Sequence, residues 1–466
     1  MKIHLTGVGG VAMGNLAAML KRTGHTVTGS DSALYPPMSE KLKDWGIEAF
    51  RFDEKNLEDA DLVVIGNVIS RGNPEVEAVL NRKIPYMSMS AALKEFFLKG
   101  KDVIVVAGTH GKTTTTFLID HILATAGKAP GLFAGGLRSD GMNGFRVSDS
   151  PYFVIEGDEY DTAFFDKASK FLHYLPRYLV LTSVEFDHAD IFHDFREYSL
   201  SFQRLLRLIP SEGLVIGCAD NEGVKNVLKD HQLSPVEWYS RAAAKGVSSF
   251  VRKGALVEFP YAGTVEELPL IGDHNISNAL AAVLLARRLG ISADSVRMAL
   301  RTFPGVLRRQ QVRAQKRVGE SEVRLIEDFA HHPTAVKETI LAVRQAYPGF
   351  RIHALFEPRS ATSHRSVFQA EYARALASSD SVYITDVYDR KKVDASSLLN
   401  VKKIVADISK RKGGKTEAFF AKDPQALLAM FRKKFRPSKK GDIILIMSNG
   451  AFGGIYPELD TFVRAL

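Results

Sequence analysis

The chain has 466 residues, of which 45% are hydrophobic and 25% are charged, and its formal net charge is +9. This composition is that of a soluble globular protein of roughly two to four domains, and the longest apolar runs are too short to cross a membrane. The only cysteine, Cys218 in the apolar run Leu214–Cys218, excludes an intrachain disulfide and is typical of a buried strand residue. The N-terminus lacks the apolar core of a signal peptide, so we expect a cytoplasmic protein.

The first segment alternates strands and helices in the order of a Rossmann-like unit, with predicted strands Ile3–Leu5, Thr26–Gly29 and Asp61–Gly66 and a predicted helix Ala12–Arg22. The loop Gly7-Val-Gly9-Gly10-Val-Ala12 fits the dinucleotide fingerprint, and Asp31 follows at about the expected distance. This fingerprint specifies only a diphosphate resting on a helix N-terminus. A nicotinamide dinucleotide, a nucleotide-sugar diphosphate and a turn without ligand therefore stay open. The charged residues Lys94–Lys101 are interpreted as a link to the next segment.

The second segment opens with the most informative motif of the chain. A predicted strand, Asp102–Ala107, runs into Gly108-Thr109-His110-Gly111-Lys112-Thr113-Thr114, where a helix begins. Glycines let backbone N–H groups approach phosphates, the lysine can neutralise them, and the first hydroxyl can reach Mg²⁺. The usual loop has its first glycine where Val106 stands, so this loop departs from the pattern. The flanking strand and helix favour a nucleotide site over a glycine turn with a solvated lysine.

Two acidic clusters follow the predicted strands Phe153–Ile155 and Tyr178–Leu181; they are Glu156-Gly-Asp158-Glu159-Tyr-Asp161 and Glu185-Phe-Asp187-His188-Ala-Asp190. The carboxyl ends of parallel strands bind ligands, and Mg²⁺ prefers oxygen ligands beside phosphate. We therefore interpret Glu156 as a metal ligand, with His188 either joining it or hydrogen-bonding a phosphate. Capping of the following helices is the expected role of Asp161, Asp190 and Asp194.

The segment ends with a predicted strand, Leu214–Gly217, and a predicted helix, Ile276–Leu289, before Pro304 and Gly305 break the pattern. Asn275 and Asn278 lie one helical turn apart, and they either read the edge of a base or cap the helix.

The third segment has predicted strands at Arg324–Glu327, Arg351–Leu355, Ser381–Thr385 and Asp442–Met447. Polar loops follow three of them, and we interpret these loops as one binding edge: Asp328-Phe-Ala-His331-His332-Pro333, Phe356-Glu-Pro-Arg359-Ser360 and Ser448-Asn449-Gly450. Strands that alternate with helices along the chain predict an α/β fold with doubly wound parallel sheets.

Most of the positive charge lies in residues 401–440, which hold 13 Lys and Arg against 3 Asp and Glu. A basic stripe can attract nucleic acid. No nucleic-acid-binding motif accompanies it, so we favour a solvated face that draws in an anionic substrate.

Together these motifs resemble the Mur ligase family, whose members use ATP to build peptides onto UDP-N-acetylmuramate. Gly108–Thr114 resembles the ATP loop of that family, Asp187-His188 its magnesium motif, Gly272-x-His-Asn275 its adenine-side motif, and Asp328-x-x-His-His-Pro its C-terminal motif. The loop Gly7-Val-Gly-Gly resembles the family's UDP-binding loop rather than a nicotinamide site.

Within the family, the chain is similar to the branch that returns cell-wall peptides to UDP-N-acetylmuramate. The likeness is carried by Asn67-x-x-x-Arg71-Gly-Asn73-Pro74, Asp158–Lys167, Phe356-Glu-Pro-Arg-Ser and Met447-Ser-Asn-Gly-x-Phe-Gly-Gly454. It implies ligation of the tripeptide L-Ala-γ-D-Glu-meso-diaminopimelate through an acyl phosphate. Ser360 and Ser363 stand where alanine-adding ligases have arginines, and residues 171–224 hold no lysine for carbamylation. The alternatives are an alanine-adding ligase, a folylpolyglutamate synthetase and, from residues 1–66 alone, an NAD-dependent dehydrogenase.

The resemblance implies three domains: a Rossmann-like UDP-sugar domain over residues 1–98, a phosphate-loop ATPase domain with a parallel sheet over 99–303, and a Rossmann-like peptide-binding domain over 304–466, with hinges near 98–102 and 302–306. It implies ATP and Mg²⁺ as cofactors, UDP-N-acetylmuramate and the tripeptide as partners, no nucleic acid or membrane, and a monomer or weak homodimer in the bacterial cytoplasm. The implied site residues are Gly7, Gly9, Gly10, Asp31, Asn67 and Asn73 for the UDP-sugar; Gly108, Thr109, His110, Gly111, Lys112, Thr113, Thr114, Asn275 and Asp328 for ATP; Thr113, Glu156 and His188 for the metal; Arg359, Ser360 and Asn449 for the peptide; and Lys112, Glu156, His188 and His331 for catalysis.

Overall fold

A computed structural model describes residues 1–36, 38–253, 256–265, 268–390, 395–410 and 416–466. The chain divides into two compact units. The first unit comprises Met1–Phe186, Ile191–Pro269 and Ser277–Gly305, and the second comprises Asp187–Asp190, Leu270–Ile276 and Val306–Leu466.

The N-terminal part of the first unit is a parallel sheet with helices. Its elements are β1 Lys2–Thr6, α1 Val11–Arg22, β2 Thr26–Ser30, α2 Met38–Asp44, β3 Glu48–Phe50, β4 Leu62–Ile65, α3 Pro74–Arg82, β5 Tyr86–Ser88 and α4 Met89–Leu93. The strand order is β3-β2-β1-β4-β5. Because the chain moves outward from β1 in one direction and then crosses to β4, the glycine loop after β1 lies at the topological switch point, where such sheets bind ligands.

The charged link predicted over Lys94–Lys101 is wrong for its first five residues. Lys94–Leu98 forms a π-helical turn that continues α4, and Phe97 and Leu98 are buried. The charged side chains point outward while the two apolar ones join the core, and a count of charges cannot separate these two faces.

The central part of the first unit is built on a larger sheet. Its elements are β6 Asp102–Ala107, α5 Lys112–Thr125, β7 Gly131–Phe133, β8 Phe145–Arg146, β9 Tyr152–Gly157, β10 Asp161–Ala163, β11 Asp166–Ser169, β12 Pro176–Leu181, α6 Phe195–Leu206, β13 Leu214–Cys218, α7 Glu222–Leu228, β14 Val236–Ser240, β15 Val247–Ser249, β16 Val251–Lys253, β17 Leu256–Phe259, β18 Gly263–Val265, α8 Asp273–Arg288 and α9 Ala293–Thr302. The sheet order is β15-β14-β13-β12-β6-β9-β7-β8, with β8 antiparallel to β7. The central strands β6, β9 and β12 are parallel, so the loops that follow them emerge at one edge.

The second unit contains a mixed sheet in the order β19-β20-β24-β21-β22-β23, with β19 antiparallel to β20. Its elements are β19 Gln311–Val318, β20 Ser321–Asp328, α10 Pro333–Ala346, β21 Arg351–Phe356, α11 Gln369–Leu376, β22 Ser381–Thr385, α12 Val401–Ser409, β23 Glu417–Ala421, α13 Pro424–Lys434, β24 Asp442–Met447 and α14 Tyr456–Arg464.

The strand β23 lies at the end of this sheet and within the basic segment 401–440. The Nζ of Lys402 is 5.3 Å from the centre of the Phe420 ring, and the Nζ of Lys434 is 4.3 Å from that of Phe419. Successive side chains of a strand point to opposite faces, so one lysine covers each face. Arg411, Lys412 and Lys415 of the same segment lie outside the described residues.

The predicted fold class is confirmed: the protein is α/β, with parallel strands forming the body of all three large sheets. Cys218 is buried at the end of β13, as predicted. Over the described residues, we find no helix that is both long enough and apolar enough to span a bilayer.

Candidate active site

The phosphate loop connects β6 to α5 and depends on two glycines. Gly108 has φ +133°, and a Cβ there would lie 2.3 Å from the Thr182 hydroxyl oxygen. Gly111 is the N-cap of α5 with φ +83°, and its Cβ would lie 2.6 Å from the side-chain oxygen of Asn278. Any larger residue at either position would be strained or would collide. The loop therefore places the start of α5, with its free N–H groups, at the carboxyl end of the sheet, which suits an anion.

Lys112 is held by a carboxylate that the sequence did not single out. Its Nζ lies 2.9 Å from Oε2 of Glu159, which is completely buried, and it donates to the Gly108 carbonyl at 2.6 Å. Burial lowers the pKa of Lys112, but Glu159 and Glu156 outweigh it and leave the pKa raised. The lysine is therefore charged and oriented toward its own loop.

Thr113 and Glu156, two predicted metal ligands, are brought together in the first unit. The Thr113 hydroxyl donates to Oε1 of Glu156 at 2.9 Å, and the backbone N–H of Gly135 donates to Oε2 at 2.9 Å. Hydroxyl and carboxylate oxygens are hard ligands of the kind that Mg²⁺ takes beside a phosphate, so the donor set fits that ion.

The loop is also tied to the exit of β12. The hydroxyl oxygen of Thr109 accepts from the backbone N–H of Glu185 at 2.8 Å and lies 2.9 Å from the Tyr198 hydroxyl. That phenol in turn donates to Glu159 at 3.2 Å. His110 lies 3.3 Å from the Glu185 carboxylate. This network fixes the loop and the Lys112 counter-ion relative to each other.

The two asparagines at the start of α8 have different roles. Asn275 donates to the Ile271 carbonyl at 3.0 Å and to the Gln310 side chain at 2.9 Å, all within the second unit. Asn278 packs its amide against Gly111. Neither of these described contacts is an N-terminal cap, and a contact with a base stays a prediction for both.

The N-terminal glycine loop is closed by its own sheet. The Ser30 carbonyl accepts from the N–H groups of Gly7 and Val8, at 2.8 and 2.9 Å, and the Asp31 carboxylate accepts from Gly9 N–H at 2.8 Å. Gly10 is the N-cap of α1 and offers no side-chain cap, so the first turn of that helix is open to an anion.

Two further residues predicted for the UDP-sugar lie in the neighbouring loop. Asn67 lies in the turn directly after β4. Asn73 caps α3, where its side-chain oxygen accepts from Glu75 N–H at 2.9 Å.

Asp187 and His188 group with the second unit. Asp187 is buried, and its carboxylate accepts from the His188 N–H at 2.8 Å and from the Thr362 hydroxyl. Burial raises the pKa of Asp187, but His188, His331 and His332 outweigh burial and hold it well below its ordinary value. His188 has φ +54°, a strained conformation for a residue with a side chain, which is typical of functional positions. A shared metal site with Glu156 stays a prediction.

Asp328 and His331 follow β20. The Asp328 carboxylate accepts from the N–H groups of Gln310 and Ala330 at 2.9 and 2.7 Å, and burial raises its pKa. The ring of His331 lies 3.1 Å from the Phe329 carbonyl, and burial lowers its pKa. These contacts order the loop, and the ATP and catalytic roles stay predictions.

The loops after β21 and β24 meet at Arg359. Its guanidinium carbon lies 3.8 Å from the centre of the Tyr388 ring, and a Cβ on Gly450 would lie 2.1 Å from both Cδ and Nε of Arg359. Ser360 donates to Ser363 at 2.9 Å, so the two serines satisfy each other. Asn449 Oδ1 is buried and accepts no hydrogen bond within the described residues. Nη1 of Arg359 also lies 3.7 Å from Oε1 of the buried Glu357, so this cation already has one carboxylate neighbour.

Two expectations about acidic residues had opposite outcomes. Asp194 caps α6, accepting from Glu197 N–H at 2.8 Å, as predicted. Asp161 was predicted to cap a helix, and this is wrong, because it begins β10 and pairs with Lys167 at 2.6 Å. The strand has only three residues, Asp161–Ala163, of which only Thr162 is β-branched, so the local sequence gives little indication of a strand.

The chain matches three domain models of one family. Residues 2–100 match the Mur ligase family catalytic domain, residues 106–286 the Mur ligase middle domain, and residues 308–450 the Mur ligase glutamate ligase domain. Both glycine loops lie inside matched segments.

Individual relatives agree with these models. The chain is 38% identical to a UDP-N-acetylmuramate–L-alanyl-γ-D-glutamyl-meso-2,6-diaminoheptandioate ligase of Escherichia coli K12, over 98% of this chain and 97% of that protein. It is 30% identical to a UDP-N-acetylmuramate–L-alanine ligase of Acetivibrio thermocellus, over 99% and 95%. The crystal structure of a murein peptide ligase from Psychrobacter arcticus superposes with a TM-score of 0.71 at 31% identity, covering 100% of this chain and 99% of that one.

The three models together match most of the chain, and the relatives match nearly all of it. The predicted resemblance is confirmed, and this chain belongs to the Mur ligase family.

Proposed function

We propose that this protein is an ADP-forming ligase that joins L-alanyl-γ-D-glutamyl-meso-diaminopimelate to UDP-N-acetylmuramate in the recycling of cell-wall peptides. The observation that carries the proposal is the group formed by Lys112, Thr113 and Glu156 at the carboxyl end of β6 and β9. The 38% identity to a ligase named for this tripeptide, against 30% to an alanine-adding ligase, supports the peptide over the single amino acid.

The reaction begins with two anions that repel each other. The γ-phosphoryl group of ATP passes to the lactyl carboxylate of UDP-N-acetylmuramate, and ADP leaves with its bridging oxygen. Lys112 offsets negative charge at the β- and γ-phosphates. Thr113 and Glu156 would hold Mg²⁺, with His188 as the third ligand that we propose, and the ion would supply positive charge at the phosphates.

The tripeptide amine then attacks the carbonyl carbon of the acyl phosphate, an amide forms, and phosphate leaves. His331 orients the incoming peptide. Arg359 pairs with one of its carboxylates. Its guanidinium is stacked on Tyr388, lies beside Gly450 and is 3.7 Å from Glu357, so a substrate carboxylate would be its second anionic neighbour. Ser360 and Ser363 bond to each other and bring no charge to clamp the carboxylate of a lone alanine.

The substrate assignment is tested by phosphate release from ATP with Mg²⁺ and UDP-N-acetylmuramate. We expect release with the tripeptide and none above background with excess L-alanine. Release with L-alanine alone would move the protein to the alanine-adding branch.

The phosphate loop is tested by Lys112→Ala. We expect this change to abolish ligation while calorimetry shows nearly unchanged binding of UDP-N-acetylmuramate, because the N-terminal loop does not contain the lysine. Lys99→Ala, which removes an exposed partner of Glu95, serves as the control and should keep full activity. Ligation at the unmodified rate by Lys112→Ala would refute the assignment.

A further inference from the structure

A buried carboxylate lies beneath the N-terminal glycine loop, at a position where no ligand contact is expected. Glu75, the second residue of α3, has an exposed fraction of 0%. Burying an ionised carboxylate costs several kcal/mol unless its oxygens are fully hydrogen-bonded, and an apolar residue would stabilise the fold as well. The contacts of this buried carboxylate therefore indicate what it does in the fold.

One oxygen of Glu75 joins the two strands that flank the loop. Oε2 accepts from the Thr6 hydroxyl at 2.8 Å and from the Ser30 hydroxyl at 2.5 Å. Thr6 is the last residue of β1 and precedes Gly7, while Ser30 is the last residue of β2. His4, buried on β1, brings its Nε2 to 3.4 Å from the same oxygen.

The other oxygen anchors this pair to the rest of the domain. Oε1 accepts from the Asn56 side chain at 2.8 Å and from Asp53 N–H at 3.3 Å. Burial raises the pKa of Glu75, but the bonds from His4, Ser30 and Asn56 outweigh it and leave the pKa lowered. The carboxylate is thus ionised and fully partnered.

The link to the loop runs through Ser30. Its carbonyl accepts from Gly7 and Val8 N–H, and its neighbour Asp31 accepts from Gly9 N–H. A shift of Ser30 would therefore displace three successive amides of the loop and the first turn of α1.

From this geometry we propose that Glu75 is a positioning residue for the nucleotide-sugar substrate, acting by clamping the ends of β1 and β2 so that the glycine loop is preformed. The proposal rests on the proposed function, since it concerns the binding of UDP-N-acetylmuramate. Within the described residues, Glu75 makes no hydrogen bond to the loop Gly7–Ala12, so it would act through β1 and β2.

The test is Glu75→Gln in the full chain, which keeps the side-chain shape but places an N–H₂ donor against other donors. If the charged hydrogen bonds of Glu75 serve only to preform the substrate loop, losing them weakens substrate binding about tenfold. We expect KM for UDP-N-acetylmuramate to rise about tenfold, with kcat and the KM for ATP within about twofold of their original values.

A matched control lies in the second unit. Asp442, also 0% exposed, begins β24 and accepts from the buried His353 at 3.0 Å and from Ser438 N–H at 2.6 Å. Asp442 also accepts from Nε of Arg351 at 2.8 Å. Asp442→Asn removes a buried charge at the start of an interior strand, in a sheet that carries no glycine loop for the sugar nucleotide. We expect it to lower the melting temperature and leave KM for UDP-N-acetylmuramate unchanged.

Thr6→Val and Ser30→Ala give a milder test should Glu75→Gln fail to fold, and each should raise the same KM about threefold. An unchanged KM in these variants, or an equal rise in Asp442→Asn, would overturn the positioning role while leaving the ligase assignment in place. If the unmodified protein fails to bind UDP-N-acetylmuramate in calorimetry, the proposed function falls, and the role of Glu75 falls with it.

Discussion

At the scale of single residues, the charge on Lys112 depends on its buried partner. The lysine is 15% exposed, and Glu159 lies 2.9 Å away with no exposure. The raised pKa of Lys112 means that the ammonium form persists at alkaline pH, and this form is lost only as the pH rises through the raised value. Without this carboxylate, only Glu156 and Asp158 would oppose the effect of burial, so the pKa of Lys112 would fall.

We therefore predict that Glu159→Gln moves the alkaline limb of the kcat/KM profile for ATP to lower pH, so that the loss of activity relative to the unmodified protein grows as the pH rises toward 10. The profile is measured by phosphate release between pH 6 and 10. Tyr198→Phe is the control, because it removes one hydrogen bond to Glu159 and leaves the charge. A Glu159→Gln profile that only scales downward, with no shift along the pH axis, would contradict this role.

At the scale of elements, α6 carries Tyr198 into the site, and its position depends on a cap. Asp194 accepts from Glu197 N–H, and the Glu197 side chain accepts in return from His193 N–H at 2.8 Å. We predict that Asp194→Ala lowers the free energy of unfolding by about 1 kcal/mol. Asp194→Asn should keep most of that stability, because asparagine also caps helices. Urea denaturation followed by circular dichroism measures both, and an equal loss in the two variants would exclude a capping role.

The elements were predictable where a pattern is local. The apolar strand before Gly108 and the helix after Lys112 follow from neighbouring residues, as does α1 after the N-terminal loop. The contact between Thr113 and Glu156 could be expected too. Thr113 begins the helix that follows β6, and Glu156 lies near the end of the neighbouring parallel strand β9.

Other contacts depend on residues far apart in the chain. Glu159 is one of four acids in its cluster, and only the fold shows that it is the one facing Lys112. Glu75 contacts Thr6 across 69 positions and Ser30 across 45. Helical periodicity and turn signals carry no information on such pairs, so sequence reasoning could not find them.

At the scale of the whole molecule, the net charge of +9 is concentrated in one segment of the second unit. Lys433, Lys439 and Lys440 are exposed there. We predict that replacing all three by glutamine lowers kcat/KM for the anionic substrates about threefold at low ionic strength and leaves kcat unchanged. The difference should vanish near 0.5 M salt, where screening is short-ranged, and initial rates across a salt series measure it. A loss that persists at high salt would point to a local structural effect instead.

Lys402 and Lys434 belong to the same segment but flank the edge strand β23, so they are not replaced in that experiment. In the part of the chain that the structure describes, β23 pairs with β22, and Lys402 and Lys434 lie over its two phenylalanine rings. An open sheet edge is a template for strands of other molecules, and flanking lysines oppose such addition by charge and hydration. We therefore expect that removing Lys402 and Lys434 makes the edge strand Glu417–Ala421 more prone to pair with strands of other molecules.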